Sequence, residues 1–185
     1  MLIEANRSLL LIIDVQTKLT PAVDDAEACI YRCLMLLAAA RRLEVPAVAT
    51  EHCPRSVGPT MPVLAEHLVA GEIVEKRHFN GMSESALQSA LAAFGRKTIV
   101  VAGMEAHVCV LQTVLGLKEA GFAPVVVVDA VTSRLPSSRD LALDRMRHHG
   151  VEIVNTEMVL FEWLAVGDSD AFRDLLPMIK SGSAS

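Results

Sequence analysis

Short β-branched apolar runs alternate with helical apolar patterns along the whole chain, and that alternation leaves few folds open. The runs predict strands near 9–14, 45–50, 72–76, 98–103, 124–129 and 151–155. Helical patterns fall near 26–43, 61–70, 83–94, 106–120, 138–149 and 156–165, with a last one near 169–180. Strands separated by helices pair in parallel through right-handed crossovers, which predicts a three-layer α/β/α sandwich. The uniformly apolar Val125-Val126-Val127-Val128 fits a strand buried on both faces, as does the 52% hydrophobic content.

A chain of 185 residues has room for one domain with a full core. No linker, repeat or charge block divides it. We expect a single domain over 1–180 and a disordered tail over 181–185, where the sequence reads Ser-Gly-Ser-Ala-Ser. The net charge of -5 includes no basic stripe, and one Trp and one Tyr offer little to stack bases on, so nucleic acid and acidic membranes are not expected partners. The apolar runs stop far short of the ~20 residues of a membrane helix. No secretory signal is visible at the start. Cysteines at 29, 33, 53 and 109 make no disulfide framework, which favours reduced thiols in a cytoplasm.

In such sheets ligands bind beyond the carboxyl ends of the strands. The residues delivered there are Asp14, Thr50-Glu51-His52, Lys76, the turn to Cys109, Asp129 and Asn155. Cys109 falls in the first turn of the predicted helix after Gly103, where free N–H groups and the helix dipole favour a thiolate. Asp14 is placed to accept a thiol proton, and the adjacent Gln16 to orient it. Lys76 either pairs with Glu75 on the surface or sits beside the thiol, where its ammonium stabilises the charged sulfur. His107, two residues from Cys109, points elsewhere on a helix. His52 arrives from a neighbouring strand end and is a candidate pocket residue. Glu51-His52-Cys53 has no spaced partner for a metal. No G-x-G-x-x-G follows the first strand, which removes the main support for a nucleotide cofactor.

The runs Leu11-Ile12-Ile13-Asp14-Val15-Gln16, Glu75-Lys76 followed by Phe79, Val101 to Val110 and Asp129 to Arg134 resemble the isochorismatase-like cysteine hydrolases. This resemblance implies a Rossmann-like sheet of six parallel strands in the order 3-2-1-4-5-6. It also implies a catalytic triad of Asp14, Lys76 and Cys109, and a cis peptide between Met104 and Glu105. Backbone N–H groups of Glu105 and Cys109 would form the oxyanion hole, and no cofactor is implied. Relatives with nicotinamidase activity carry an Asp-x-His metal motif after the second strand; here the sequence is Thr50-Glu51-His52-Cys53, similar to the metal-free subgroup.

The expected function is therefore metal-independent hydrolysis of a C–N bond in a small amide, carbamoyl or imide-like substrate through a thioester. His52, Phe79, Gln16 and Glu105 are the expected pocket residues. Members of this family commonly assemble as homo-oligomers, and the apolar stripes of this chain permit that. The alternative is an idle family member that serves as a binding or oligomeric scaffold.

Overall fold

A computed structural model describes residues 2–182. Its centre is β1 (Ser8–Ile13), in which every residue is buried. Consecutive strand side chains point to opposite faces, so Leu9, Leu11 and Ile13 join one core while Leu10 and Ile12 join the other. Around it lie β2 (Ala47–His52), β3 (Ile73–Lys76), β4 (Thr98–Met104), β5 (Ala123–Thr132) and β6 (Glu152–Val154). All pairings are parallel, in the order β3-β2-β1-β4-β5-β6.

The regular helices are α1 (Ala26–Arg42), α2 (Pro54–Val57), α3 (Pro62–Ala65), α4 (Ser85–Ala93), α5 (Leu111–Glu119), α6 (Pro136–His148), α7 (Thr156–Leu164) and α8 (Asp170–Gly182). Helices α1, α7 and α8 cover one face of the sheet; α4, α5 and α6 cover the other. The apolar stripe of α8, with Leu175 and Ile179 buried, packs within its own chain against α1 and α7.

Three expectations need correction. The helix expected over 61–70 is one turn, begun by Pro62. Beyond it the Arg41 guanidinium takes the carbonyl of His67, so the chain bends towards β3. Strand β5 continues to Thr132, because β4 advances two residues from Val101 to Gly103 while β5 advances five from Val126 to Val131. Helix α8 runs through Gly182, into the stretch expected to be a tail. There the Ser181 hydroxyl donates to the Met178 carbonyl at 2.9 Å and meets the Tyr31 hydroxyl at 2.9 Å. Residues 183–185 lie outside the described residues.

Candidate active site

Four strand tips, those of β1 to β4, converge at one edge of the sheet. Asp14 leaves β1 with φ 52°, a left-handed conformation that a short carboxylate side chain tolerates. Its N–H donates to Thr50 O at 3.1 Å and its carbonyl accepts from Gln16 N at 2.9 Å. These bonds turn the chain sharply and leave the carboxylate beneath the strand tips. Lys76 ends β3 opposite His52, with Nζ 2.7 Å from Asp14 Oδ2 and neither side chain reaching solvent. The Thr50 hydroxyl donates to Asp14 Oδ1 at 2.6 Å, and Lys76 Nζ donates to His78 O at 3.3 Å. Lys76 thus pairs with Asp14 rather than Glu75. A buried charge pair persists only with such supporting bonds.

Cys109 lies in a π turn, Ala106–Val110, rather than in the first turn of a regular α-helix. The Val110 N–H reaches back to Glu105 O at 3.2 Å, the five-residue step of that turn. The thiol is 6% exposed and has both Asp14 and Lys76 as hydrogen-bonding and charged neighbours. Its acidity runs opposite to the expectation from a helix end. Burial first, and then the Asp14 charge, push the thiol up to about 12 against the pull of Lys76. A carboxylate beside a dry thiol opposes a second negative charge. The resting group is therefore a neutral thiol beside the Asp14–Lys76 pair.

The link from β4 to this turn depends on Gly103. Its φ is 122°, and a Cβ there would stand 2.1 Å from the Ile13 carbonyl oxygen. The Met104–Glu105 peptide bond is cis. The Glu105 carboxylate accepts from Arg134 N at 2.9 Å and Nε at 3.0 Å on one oxygen, and from Nη2 at 2.6 Å on the other. Arg134 holds that carboxyl below its usual range although burial opposes it. The Glu105 side chain consequently clamps the turn after β5 instead of forming the expected pocket wall. His107 is turned to Ser133, Nδ1 to Oγ 2.9 Å.

Gln16 also departs from its expected role. Its Nε2 donates to the carbonyls of His52 and Gly58, and its Oε1 accepts from His52 N at 2.8 Å. Both ends of a buried amide are used on backbone, so Gln16 staples the 52–58 segment rather than lining a pocket or orienting Asp14. His52 and Phe79 form a stacked pair, with ring centroids 5.0 Å apart; Phe79 is half exposed at 51%. Glu51 faces the other side of β2, where Oε1 accepts from Thr60 N and Oγ1. Asp129 and Asn155 are not at the site: Asp129 accepts from Thr156 N and Oγ1, and Asn155 caps α7 by accepting from Met158 N.

The roles of three residues escaped sequence reasoning. Thr50 fixes Asp14, Arg134 fixes Glu105, and Glu84 gathers the N–H groups of Arg77 and His78 at 2.7 and 3.0 Å on one oxygen. Thr50 carried a usable signal, since it shares a β2 face with His52 two residues on. Arg134 and Glu84 act across loops, which periodicity does not reach.

The isochorismatase domain family model matches residues 8–158. Isochorismatase domain-containing protein 2 of Danio rerio is 32% identical over 173 residues, covering 93% of this chain and 86% of that protein. Among solved structures, the MAR1 ribonuclease of Caenorhabditis elegans is 31% identical with a TM-score of 0.91, covering 97% of this chain and 93% of the other. YcaC from Pseudomonas aeruginosa, solved with hexane-2,5-diol and covalent acrylamide, is 26% identical with a TM-score of 0.91, covering 98% and 94%.

Proposed function

This chain belongs to the isochorismatase domain family, and from that premise we propose that it is a metal-independent cysteine hydrolase of small amide, carbamoyl or imide-like substrates. One observation carries the reading: the fully buried Asp14–Lys76 pair, 2.7 Å apart, borders the Cys109 thiol. Asp14 takes the thiol proton as Sγ bonds to the substrate carbonyl carbon. The backbone N–H groups of Glu105 and Cys109 receive the oxyanion. As the tetrahedral centre collapses, the C–N bond breaks, and Asp14 returns the proton to the leaving nitrogen. Water, deprotonated by Asp14, then adds to the thioester; its collapse frees the acid and restores the thiol.

Lys76 holds Asp14 in place and offsets the charge on sulfur during attack. The donor set supports a reaction without metal, because Glu51 faces away from His52 and its Oε1 is engaged by Thr60. The covalent acrylamide of the Pseudomonas aeruginosa structure is in keeping with a family site that meets small electrophilic amides.

The test is mass spectrometry of the whole protein after exposure to a panel of small amides. An acyl adduct that maps to Cys109 and is absent from Cys109→Ala is the expected result. No adduct and no turnover across the panel favours the scaffold alternative. Cleavage of single-stranded RNA that survives in Cys109→Ala would favour the activity named for the Caenorhabditis elegans relative and overturn the thioester route.

A further inference from the structure

Among the described residues, three buried side-chain polar atoms have no hydrogen-bond partner, and two belong to this site: Asp14 Oδ2 and His52 Nδ1. The Lys76 ammonium, 2.7 Å away, satisfies Oδ2 through the ion pair, which leaves His52 Nδ1 unpaired at the site. Buried acceptors are rarely left unpaired, because each forfeits its hydration. An unpaired buried acceptor at these strand tips marks a place where a ligand's donor belongs.

His52 is held for that task. It ends β2 in register with Lys76, its main-chain N–H is fixed by Gln16 Oε1 at 2.8 Å, and its ring stacks on Phe79 with planes 29° apart. Burial and then the Lys76 charge lower its proton affinity, against Asp14 and Glu84. The ring is thus neutral at neutral pH.

We propose that His52 is a specificity-determining residue: its Nδ1 accepts a hydrogen bond from a substrate N–H, and the substrate that fits carries no negative charge. This inference rests on the hydrolase reading above. It uses the tautomer protonated at Nε2. The charge requirement follows from where the cations are committed. Lys76 is paired with Asp14, and Arg134 with Glu105. Arg55 and Arg77 line a cavity of about 310 Å³ with Cys53 and Glu75, and that cavity touches Lys76 but neither Asp14 nor Cys109. An anionic substrate would meet the Asp14 carboxylate in a dry site whose bordering ammonium, Lys76, is already paired. The same repulsion speeds departure of the acid once it forms.

Three thiol-alkylating probes separate these features on the full chain: acrylamide, methyl acrylate and acrylate. In each, Sγ bonds to the β carbon and the thiol proton ends on the α carbon. The rate at Cys109, read by peptide mass spectrometry, is divided by the rate with free N-acetylcysteine. Acrylamide is expected to exceed methyl acrylate, which has no N–H, by up to about tenfold. It should exceed acrylate, which is charged, by roughly a hundredfold. His52→Phe keeps the ring stack and removes the nitrogen, so it should erase the first ratio and leave the second.

A wild-type protein without the acrylamide preference, or a His52→Phe protein that keeps it, overturns the role of His52. Equal rates for acrylate and acrylamide overturn the charge requirement. The wild-type ratios decide the charge requirement by themselves, and where His52→Phe fails to fold, His52→Leu carries the test of the ring nitrogen. Cys109 inert to all three probes overturns the nucleophile itself, an outcome distinct from a reactive Cys109 with no preference.

Discussion

Lys76 Nζ stands 2.7 Å from Asp14 Oδ2 with both side chains sealed from solvent, so each charge is compensated chiefly by the other. Asp14→Asn or Lys76→Met leaves an unpaired charge in the interior and should cost about 3–5 kcal/mol in urea unfolding. The double variant removes both charges and should lose well under the sum of the single losses. Additive losses would show that the pair is not coupled.

Cys109→Ala should lower turnover by roughly a thousandfold or more, since the Cys109 thiol is the one that interacts with both Asp14 and Lys76. Its far-ultraviolet circular dichroism should match that of the native protein. Activity near the native level would remove Cys109 from the mechanism.

The thiol of Cys109 also predicts a stability change with pH. Its folded-state value, pushed from 9.0 to about 12 by burial and Asp14, lies above that of the unfolded chain. The folded protein keeps this proton where the unfolded chain has lost it. The resulting stabilisation is complete below pH 9 and declines as pH rises towards 12. By pH 10.5 the native protein should have lost about 2 kcal/mol relative to Cys109→Ala, in unfolding curves taken at pH 8 and 10.5. Parallel curves for the two proteins would contradict an elevated thiol.

Gly103→Ala should be severe for two independent reasons. The backbone is at φ 122°, and the new Cβ would stand 2.1 Å from Ile13 O. A loss of about 2–4 kcal/mol is expected from strain and overpacking combined, with turnover falling as β1 and β4 separate. A melting temperature within two or three degrees of native, on the order of the change from 1 kcal/mol or less, would show that the strands tolerate the methyl group.

Glu84 holds the backbone after Lys76. The N–H groups of His78 and Arg77, and the His78 ring, bring its carboxyl down to about 2. This clamp is present above the usual carboxylate value near 4.5 and is lost as pH falls towards 2. Glu84→Ala should raise amide hydrogen exchange at Arg77 and His78 by about tenfold, the effect of one lost hydrogen bond, and loosen Phe79 over His52. Unchanged exchange would place the restraint elsewhere.

The layer order and the meeting of Asp14, Lys76 and Cys109 were legible because each depends on local pattern. Apolar runs locate β1, β3 and β4, and Asp14, Lys76 and Cys109 lie at their ends or just beyond. The sense of the Cys109 shift was not legible. A helix-end argument counts only nearby peptide dipoles, whereas the thiol's environment is set by a carboxylate 95 positions earlier and by burial under other strands. Gln16 misled for a related reason, since its backbone partners at His52 and Gly58 lie across a loop whose path no periodicity encodes. The same holds for the end of β5, where the register shift against β4 that carries the strand on to Thr132 leaves no mark in composition.

The Gln16 staple has an engineering consequence. Because it grips main-chain atoms at His52 and Gly58, the segment 53–57 between those anchor points can be exchanged as a cassette that keeps a residue tolerant of φ 42° at 53 and the proline at 54. A relative's version of that segment, grafted at equal length with Gly58 retained, should alter the neighbouring groove while leaving the strand tips undisturbed.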